Sequence, residues 1–256
     1  MYKLIKAFRN KIKSGASIYG PFMKTSDPMF VEAAGMAGFD FVILDMEHGP
    51  ASFESQQNNI RAAVLSGLVP IIRVPNTDEN TIGTALDIGA LGVQVPQVRD
   101  ALQARQIVKS SRFHPYGMRG VCRFVRAAEY SRMDRKDYFE SSKELLVIVQ
   151  LEGAEAIANL DEILDVDGID VLFVGPYDLS QSLGVPGEVE SEIVIEKMKS
   201  IIEKAKAKGK VIGTFVDNMK MLNLWRSVGV QYMSYSVDIG IFTEACNGIL
   251  DEIRHV

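Results

Sequence analysis

The side chains able to do chemistry stand in short clusters, each at the end of an apolar run. Asp45-Met46-Glu47-His48-Gly49-Pro50 follows Phe41-Val42-Ile43-Leu44, and Arg73 follows Pro70-Ile71-Ile72. Gln150 and Glu152 end the run from Leu145, Gly175-Pro176-Tyr177-Asp178 follows Val171–Val174, and Asp217 comes after Val211–Thr214. Glu152 and Asp178 form a candidate pair for a divalent cation, because hard cations take oxygen ligands and need only one or two carboxylates when water and substrate supply the rest. Either carboxylate also has a second reading as the cap of the helix that follows, for which Asp is the better residue type and Glu a poor one. His48 is one of three histidines, with Asp45 and Glu47 placed to orient it and raise its basicity. Arg73 lies inside an apolar strand, where a charge is costly without an anion. It reads either as a structural ion pair with a barrel carboxylate or as a planar clamp on a substrate carboxylate or enolate oxygen.

These clusters need a scaffold that carries the ends of successive strands to one place. Short apolar, β-branched runs alternate with helical patterns along the chain. The runs are Ser17–Tyr19, Phe41–Leu44, Pro70–Val74, Gly92–Val95, Leu145–Leu151, Val171–Val174, Val211–Thr214 and Tyr232–Tyr235. Helical stretches stand between them at Pro28–Ala37, Phe53–Ser66, Glu79–Ile88, Ala101–Ser110, Ala154–Leu164, Ser191–Lys208 and Met219–Val228, with Ile241–Ile253 after the last run. Apolar strands of this kind suit a parallel sheet buried on both faces. Eight strand–helix units fit either an open doubly wound sheet or a closed barrel, and the chain length matches the barrel. The first strand is not followed by G-x-G-x-x-G, so a dinucleotide-binding sheet has no support. The expectation is therefore one (β/α)8 TIM-barrel domain over residues 1–256. In that fold catalytic groups lie at the C-terminal ends of the strands, where the clusters above stand.

Two segments fall outside the repeat. Met1–Ser14 reads as an amphipathic helix that plugs the N-terminal end of the barrel. Arg112–Ser142 is long for a connection, and long loops in compact domains are usually functional; Arg119 within it is read as solvated. No lysine stands at the end of a motif strand, which disfavours a Schiff-base route. Met219, Met221 and Trp225 fit the packing face of a helix.

Composition excludes several classes. The 256 residues are 47% hydrophobic and 24% charged with a net charge of −5, an ordinary globular balance with no basic face for nucleic acid. The lysines at 204, 206, 208 and 210 read as a solvated helix end, favourable at the negative pole of the dipole. No apolar run is long enough to cross a bilayer, and the basic, amphipathic start lacks the features of a signal peptide. Cys122 and Cys246 share no metal-type spacing and read as free thiols. A cytoplasmic protein is expected.

Taken in order, the motifs resemble those of the HpcH/HpaI aldolase family over most of the chain, from Gly35 to about Ala245. Leu44-Asp45-Met46-Glu47-His48-Gly49-Pro50 is similar to the family's Asp-Gly-Glu-His segment, and Arg73-Val74-Pro75 to its Arg-Val-Pro. Leu86-Asp87-Ile88-Gly89-Ala90-Leu91-Gly92-Val93-Gln94-Val95-Pro96, Pro115–Gly120, Val149–Glu152 and Gly175–Ser180 also resemble family elements. The resemblance implies cleavage of a 2-keto-4-hydroxy acid to pyruvate and an aldehyde through a pyruvate enolate, with a divalent cation (Mg, Mn or Co) as cofactor. It implies Glu152 and Asp178 as metal ligands, Gln150 beside the pyruvate, and backbone groups at Gly175, Tyr177 and Asp178 at its carboxylate. Arg73 would stabilise the enolate, and His48, supported by Asp45, would move protons. It further implies a homo-oligomer, a hexamer built from dimers that exchange the C-terminal helix. Met46 replaces a usual Gly and Tyr177 a usual small residue, so the acceptor pocket is expected to be reshaped. Related enolate chemistry, in a decarboxylase or acyl-CoA lyase, and a non-catalytic barrel remain as alternatives.

Overall fold

A computed structural model describes residues 1–255. Eight parallel strands pair in chain order, and the last pairs with the first to close a barrel. The strands are β1 (Ile18–Met23), β2 (Phe41–Asp45), β3 (Val69–Arg73), β4 (Gly92–Val95), β5 (Leu146–Leu151), β6 (Val171–Val174), β7 (Val211–Val216) and β8 (Tyr232–Val237). Helices α1 (Tyr2–Lys13), α2 (Pro28–Ala37), α3 (Phe53–Leu65), α4 (Glu79–Asp87), α5 (Ala101–Ser111) and α6 (Arg135–Ser141) belong to the first half. The second half carries α7 (Ala154–Ala158), α8 (Leu160–Leu164), α9 (Pro176–Ser182), α10 (Glu192–Ala207), α11 (Met219–Ser227) and α12 (Asp238–Arg254).

Every residue of β2 through β6 is buried, as strands with helices on one face and the barrel interior on the other require. Helices start where a side chain can take up an orphan N–H: Asp27, Ser52, Asp78, Asp100 and Asn218 each accept a bond from the first turn that follows. The barrel interior is filled by a column of rings. Phe41 stacks on Tyr232 with centroids 4.2 Å apart, Tyr232 meets Phe173 edge-on at 6.1 Å, and Phe173 meets Phe22 at 6.2 Å. The Arg73 guanidinium rests on the Phe22 ring, 4.6 Å from its centroid. Aromatic packing thus fills the lower barrel and supports a charged layer above it.

The helix α1 packs across the N-terminal end as expected: Ile5 and Phe8 are buried, Phe8 meets Phe41 edge-on, and Arg9 donates to the carbonyls of Glu144 and Leu145 just before β5. Several boundaries differ from the sequence reading. β1 runs on to Met23 instead of ending at Tyr19, because Gly20 and Pro21 do not break it. Gly20 lies where the β1–β8 register shifts, and a β-carbon there would sit 2.1 Å from the Phe41 carbonyl oxygen. Ala154–Leu164 is two short helices meeting at Asn159, and the turn after β6 is the helix α9.

The long segment after α5 lies at the end of the barrel opposite the strand C-termini. Arg119 is buried there, not solvated: it pairs with Asp87 at 2.5 Å and stacks on Phe113 at 4.9 Å. Its role in this structure is to hold the loop against α4. No helix among the described residues is long and apolar enough to cross a membrane.

Candidate active site

At the C-terminal ends of the strands, polar side chains from β2 to β6 form one connected layer. Register does the positioning: Asp45 pairs with Arg73 across β2 and β3, and Arg73 with Gln94 across β3 and β4. Asp45, fully buried, takes Arg73 in a two-pronged contact, Nε to Oδ1 at 2.9 Å and Nη2 to Oδ2 at 2.7 Å. Burial pushes the Asp45 carboxyl up, but the hydrogen bonds and charge of Arg73 outweigh it and hold the group below its usual range. Arg73 Nη1 lies 3.0 Å from Glu47 Oε2. A guanidinium has five N–H donors, and Asp45 takes two of them in hydrogen bonds, so donors remain for a ligand.

Gln94, buried in β4, donates to Gln150 Oε1 at 2.6 Å, and Gln150 donates to Glu152 Oε1. Gln150 and Glu152 therefore point to the same side, as residues two apart on a strand do. Gln97, with φ at 56°, brings its backbone N–H to Glu152 Oε2 at 3.1 Å and its side-chain amide to Glu47 Oε1 at 3.4 Å.

Glu152 and Asp178 converge. A β-carbon at Gly175 would lie 3.2 Å from Asp178 Oδ2 and 3.6 Å from Glu152 Oε1, so glycine keeps the space between the two carboxylates open. Burial, then the charges of Asp178 and Glu47, push the Glu152 carboxyl up to about 7. Two carboxylates drawn together with too little positive charge between them fit a divalent cation. Among the described residues no group of three His, Cys, Asp or Glu side chains gathers to hold a metal. The donor set is thus the two-carboxylate kind that leaves coordination positions for water and substrate. Neither carboxylate caps a helix: Gly153 and Gly175 occupy the cap positions of α7 and α9 without side-chain bonds.

Two cavities meet at Asp178. One, of about 470 Å³, opens outward past Glu152, Gln97 and Arg99. The other, of about 190 Å³, descends into the mouth between Arg73, Gln150, Gly175, Tyr177 and the rings of Phe22, Phe173 and Phe215. Tyr177 is half-exposed at its wall and donates to Asp217 Oδ2 at 2.6 Å; that bond, with burial, pushes its hydroxyl up to about 12.

His48 stands at the rim, with its side chain 64% exposed. The expected support from Asp45 is absent: that carboxylate is taken by Arg73 and binds only the His48 backbone N–H, at 3.2 Å. The imidazole faces Glu47 instead, with Nε2 3.8 Å from Oε2. Asp45 acts on the rim by fixing Arg73 and the turn beneath the histidine. A second correction concerns lysine. Because β1 extends to Met23, Lys24 stands at a strand end and lines the inner cavity beside Arg73. Sequence reasoning also missed Gln94, whose signal was a lone amide in an otherwise apolar strand, and Gln97.

The chain is similar to known proteins over most of its length. The family model described as HpcH/HpaI aldolase/citrate lyase matches residues 19–245. A 2-keto-3-deoxy-L-rhamnonate aldolase of Salmonella gallinarum is 33% identical over 99% of this chain and 95% of its own length. Its Escherichia coli O17:K52:H18 counterpart is 33% identical over 94% of this chain and 91% of its own. Among solved structures, the citrate synthase SbnG is 31% identical with a TM-score of 0.87, covering 96% of each chain. A HpcH/HpaI aldolase/citrate lyase family protein from Burkholderia cenocepacia J2315 is 29% identical with a TM-score of 0.91, covering 97% of this chain and 99% of its own.

Proposed function

Since the chain belongs to the HpcH/HpaI aldolase/citrate lyase family, we propose that it is a class II pyruvate aldolase, cleaving a 2-keto-4-hydroxy acid to pyruvate and an aldehyde. The observation that carries this reading is the convergence of Glu152 and Asp178 across Gly175, beside a cavity that Arg73 and Gln150 also line. When a divalent cation (Mg, Mn or Co) is held by those two carboxylates, it supplies Lewis acidity to the keto group. The chain's own residues do the rest. The first-turn N–H groups of α9, at Tyr177 and Asp178, have no partner within the helix and suit the substrate carboxylate, with Gly175 letting it approach. Gln150, held by Gln94, fixes the orientation of the keto acid. Arg73, clamped by Asp45, presents its remaining N–H bonds to the oxygen on which charge develops as the enolate forms. His48 takes the C4 hydroxyl proton as the C3–C4 bond breaks, directly or through water, and its contact with Glu47 steadies the imidazolium. The aldehyde leaves, and protonation of the enolate at C3 gives pyruvate.

Assembly with further copies belongs to the same reading. On α12 only Asp238 is buried, while Ile239, Phe242, Ile249, Leu250 and Ile253 are exposed. A helix with so much apolar surface left exposed supports exchange between subunits, and with it a hexamer built from three dimers. A cytoplasmic location goes with two cysteines that form no disulfide.

The test is a panel of 2-keto-4-hydroxy acids with Mg²⁺, Mn²⁺ or Co²⁺, detecting pyruvate. Turnover that depends on the cation and disappears in Glu152→Ala and Asp178→Ala is the expected result. Undiminished turnover in chelator would reject the proposal.

A further inference from the structure

Gln94 is an amide sunk in an apolar strand. It has no solvent exposure and stands in register with Arg73 on β3 and Ile148 on β5. Its Nε2 donates to Gln150 Oε1 at 2.6 Å, while its own Oε1 has no partner. A buried carbonyl left unpaired costs stability that an apolar side chain of the same size would not. Packing alone is therefore a poor reason for this residue type. The one group that the Gln94 side chain serves is Gln150.

That bond decides which way round Gln150 stands. The two ends of a glutamine amide are alike in shape and opposite in hydrogen bonding, so the surrounding network sets their sense. Here the network starts from groups that have no choice. The Gln97 backbone N–H can only donate, and it takes Glu152 Oε2 at 3.1 Å. Glu152, ionised as a cation ligand, can only accept, so Gln150 turns its NH₂ to Glu152 Oε1. The Gln150 carbonyl is left on the far side, where Gln94 meets it with a donor. Gln150 lines the inner cavity, and its second N–H is free for an oxygen of the keto acid. Once a cation shares Glu152, the bond from Gln94 is what keeps a donor, and not a lone pair, turned to the anionic substrate.

We propose that Gln94 is a positioning residue for the keto acid, acting through Gln150 by fixing the sense of that amide. The inference rests on the pyruvate enolate reading above and adds to it a residue that lines neither cavity at the cation pair.

The experiment is a double-mutant cycle of wild type, Gln94→Met, Gln150→Met and the double variant. Gln94→Leu replaces Gln94→Met in the cycle if the methionine variant does not fold. Pyruvate is titrated calorimetrically into each protein loaded with Mn²⁺, free Mn²⁺ is read by electron paramagnetic resonance, and C3 proton exchange of pyruvate in D₂O is followed by NMR. Gln94→Met is expected to weaken pyruvate binding, and to raise KM for exchange, about ten-fold, with Mn²⁺ affinity within about three-fold of wild type. Gln150→Met should weaken pyruvate binding about thirty-fold, and the double variant no more than about two-fold further. Losses that multiply in the double variant, pyruvate binding unchanged in Gln94→Met, or Mn²⁺ affinity falling there as far as pyruvate affinity, each overturn the assignment. A wild type that neither binds pyruvate with Mn²⁺ nor exchanges its proton with Mg²⁺, Mn²⁺ or Co²⁺ defeats the enolate reading itself. Normal wild-type binding with a failed cycle defeats the role of Gln94 alone.

Discussion

Asp45 and Arg73 face each other across β2 and β3 and meet through two hydrogen bonds, at 2.9 and 2.7 Å, in a layer where Asp45 has no solvent exposure. The same carboxylate also receives the N–H groups of Glu47 and His48. One buried group thus sets both the guanidinium and the turn that carries the rim histidine. Asp45→Asn leaves Arg73 partly unpaired in a low-dielectric place and is expected to cost about 3 kcal/mol of folding stability. Denaturant unfolding measures this, and a cost below about 1 kcal/mol would show that the pair is not structural.

Arg73→Lys tests the clamp itself. A lysine cannot reproduce the two-pronged contact with Asp45 while presenting further donors to a substrate. Pyruvate C3 proton exchange and aldol cleavage should fall together, by about a hundred-fold, because both pass through the enolate. Loss of cleavage with exchange intact would move Arg73 to the acceptor side of the reaction.

Glu152 gives a pH dependence with a definite sign. Its carboxyl is raised from 4.5 to about 7, by burial first and by Asp178 and Glu47 next. In the cation-free protein the folded state holds a proton that the unfolded chain releases between those values. The stability from this group is full below the lower value and is lost as pH rises through about 7. Divalent cation should reverse the trend, because it takes the ionised carboxylate. Thermal melts in chelator at about pH 5.5 and about pH 8 should show wild type falling relative to Glu152→Gln, and Mn²⁺ should restore wild type alone. Parallel melting of the two proteins in chelator would contradict the raised value.

At Gly175 a methyl group would enter the space between the two carboxylates, 3.2 Å from Asp178 Oδ2. Gly175→Ala should weaken Mn²⁺ binding about ten-fold while leaving the fold in place. Electron paramagnetic resonance of free Mn²⁺ reads the affinity, and circular dichroism reads the fold. Unchanged affinity would separate this glycine from the cation site.

Tyr177 walls the inner cavity, and its hydroxyl is held by Asp217 at 2.6 Å. Tyr177→Ala should raise kcat/KM for long aldehydes relative to short ones by about ten-fold. An unaltered ratio would mean that the ring does not bound the acceptor space.

Much of this site was legible because a parallel barrel turns chain order into spatial order. Once the apolar runs are recognised as strands, Glu152, Asp178, Arg73 and Gln150 must stand at one end. What was hidden depended on details that periodicity does not carry. Gly20 and Pro21 look like breakers, so β1 was cut short and Lys24 was lost from the mouth. Proximity in sequence made Asp45 the natural partner of His48, but register gave it to Arg73, whose fixed charge outcompetes a rim imidazole. Arg119 looked solvated because its partner Asp87 is 32 residues away and belongs to another helix. Gln94 shows in the sequence only as a lone amide in an apolar strand, and its role emerges once β4 and β5 are paired.

Asp238, at the first turn of α12, reaches back to the N–H groups of Lys24 and Thr25, residues more than two hundred positions earlier. The seam between β1 and β8, paired up to Phe22 and Val237, is therefore fastened further at the mouth by the Asp238 carboxylate. Contacts of such sequence separation form late in folding, since their loops are the longest to close. A nascent or half-folded barrel would own the acidic pair of β5 and β6 and the guanidinium of β3, yet have no finished chamber in which to bring a reactive aldehyde against them.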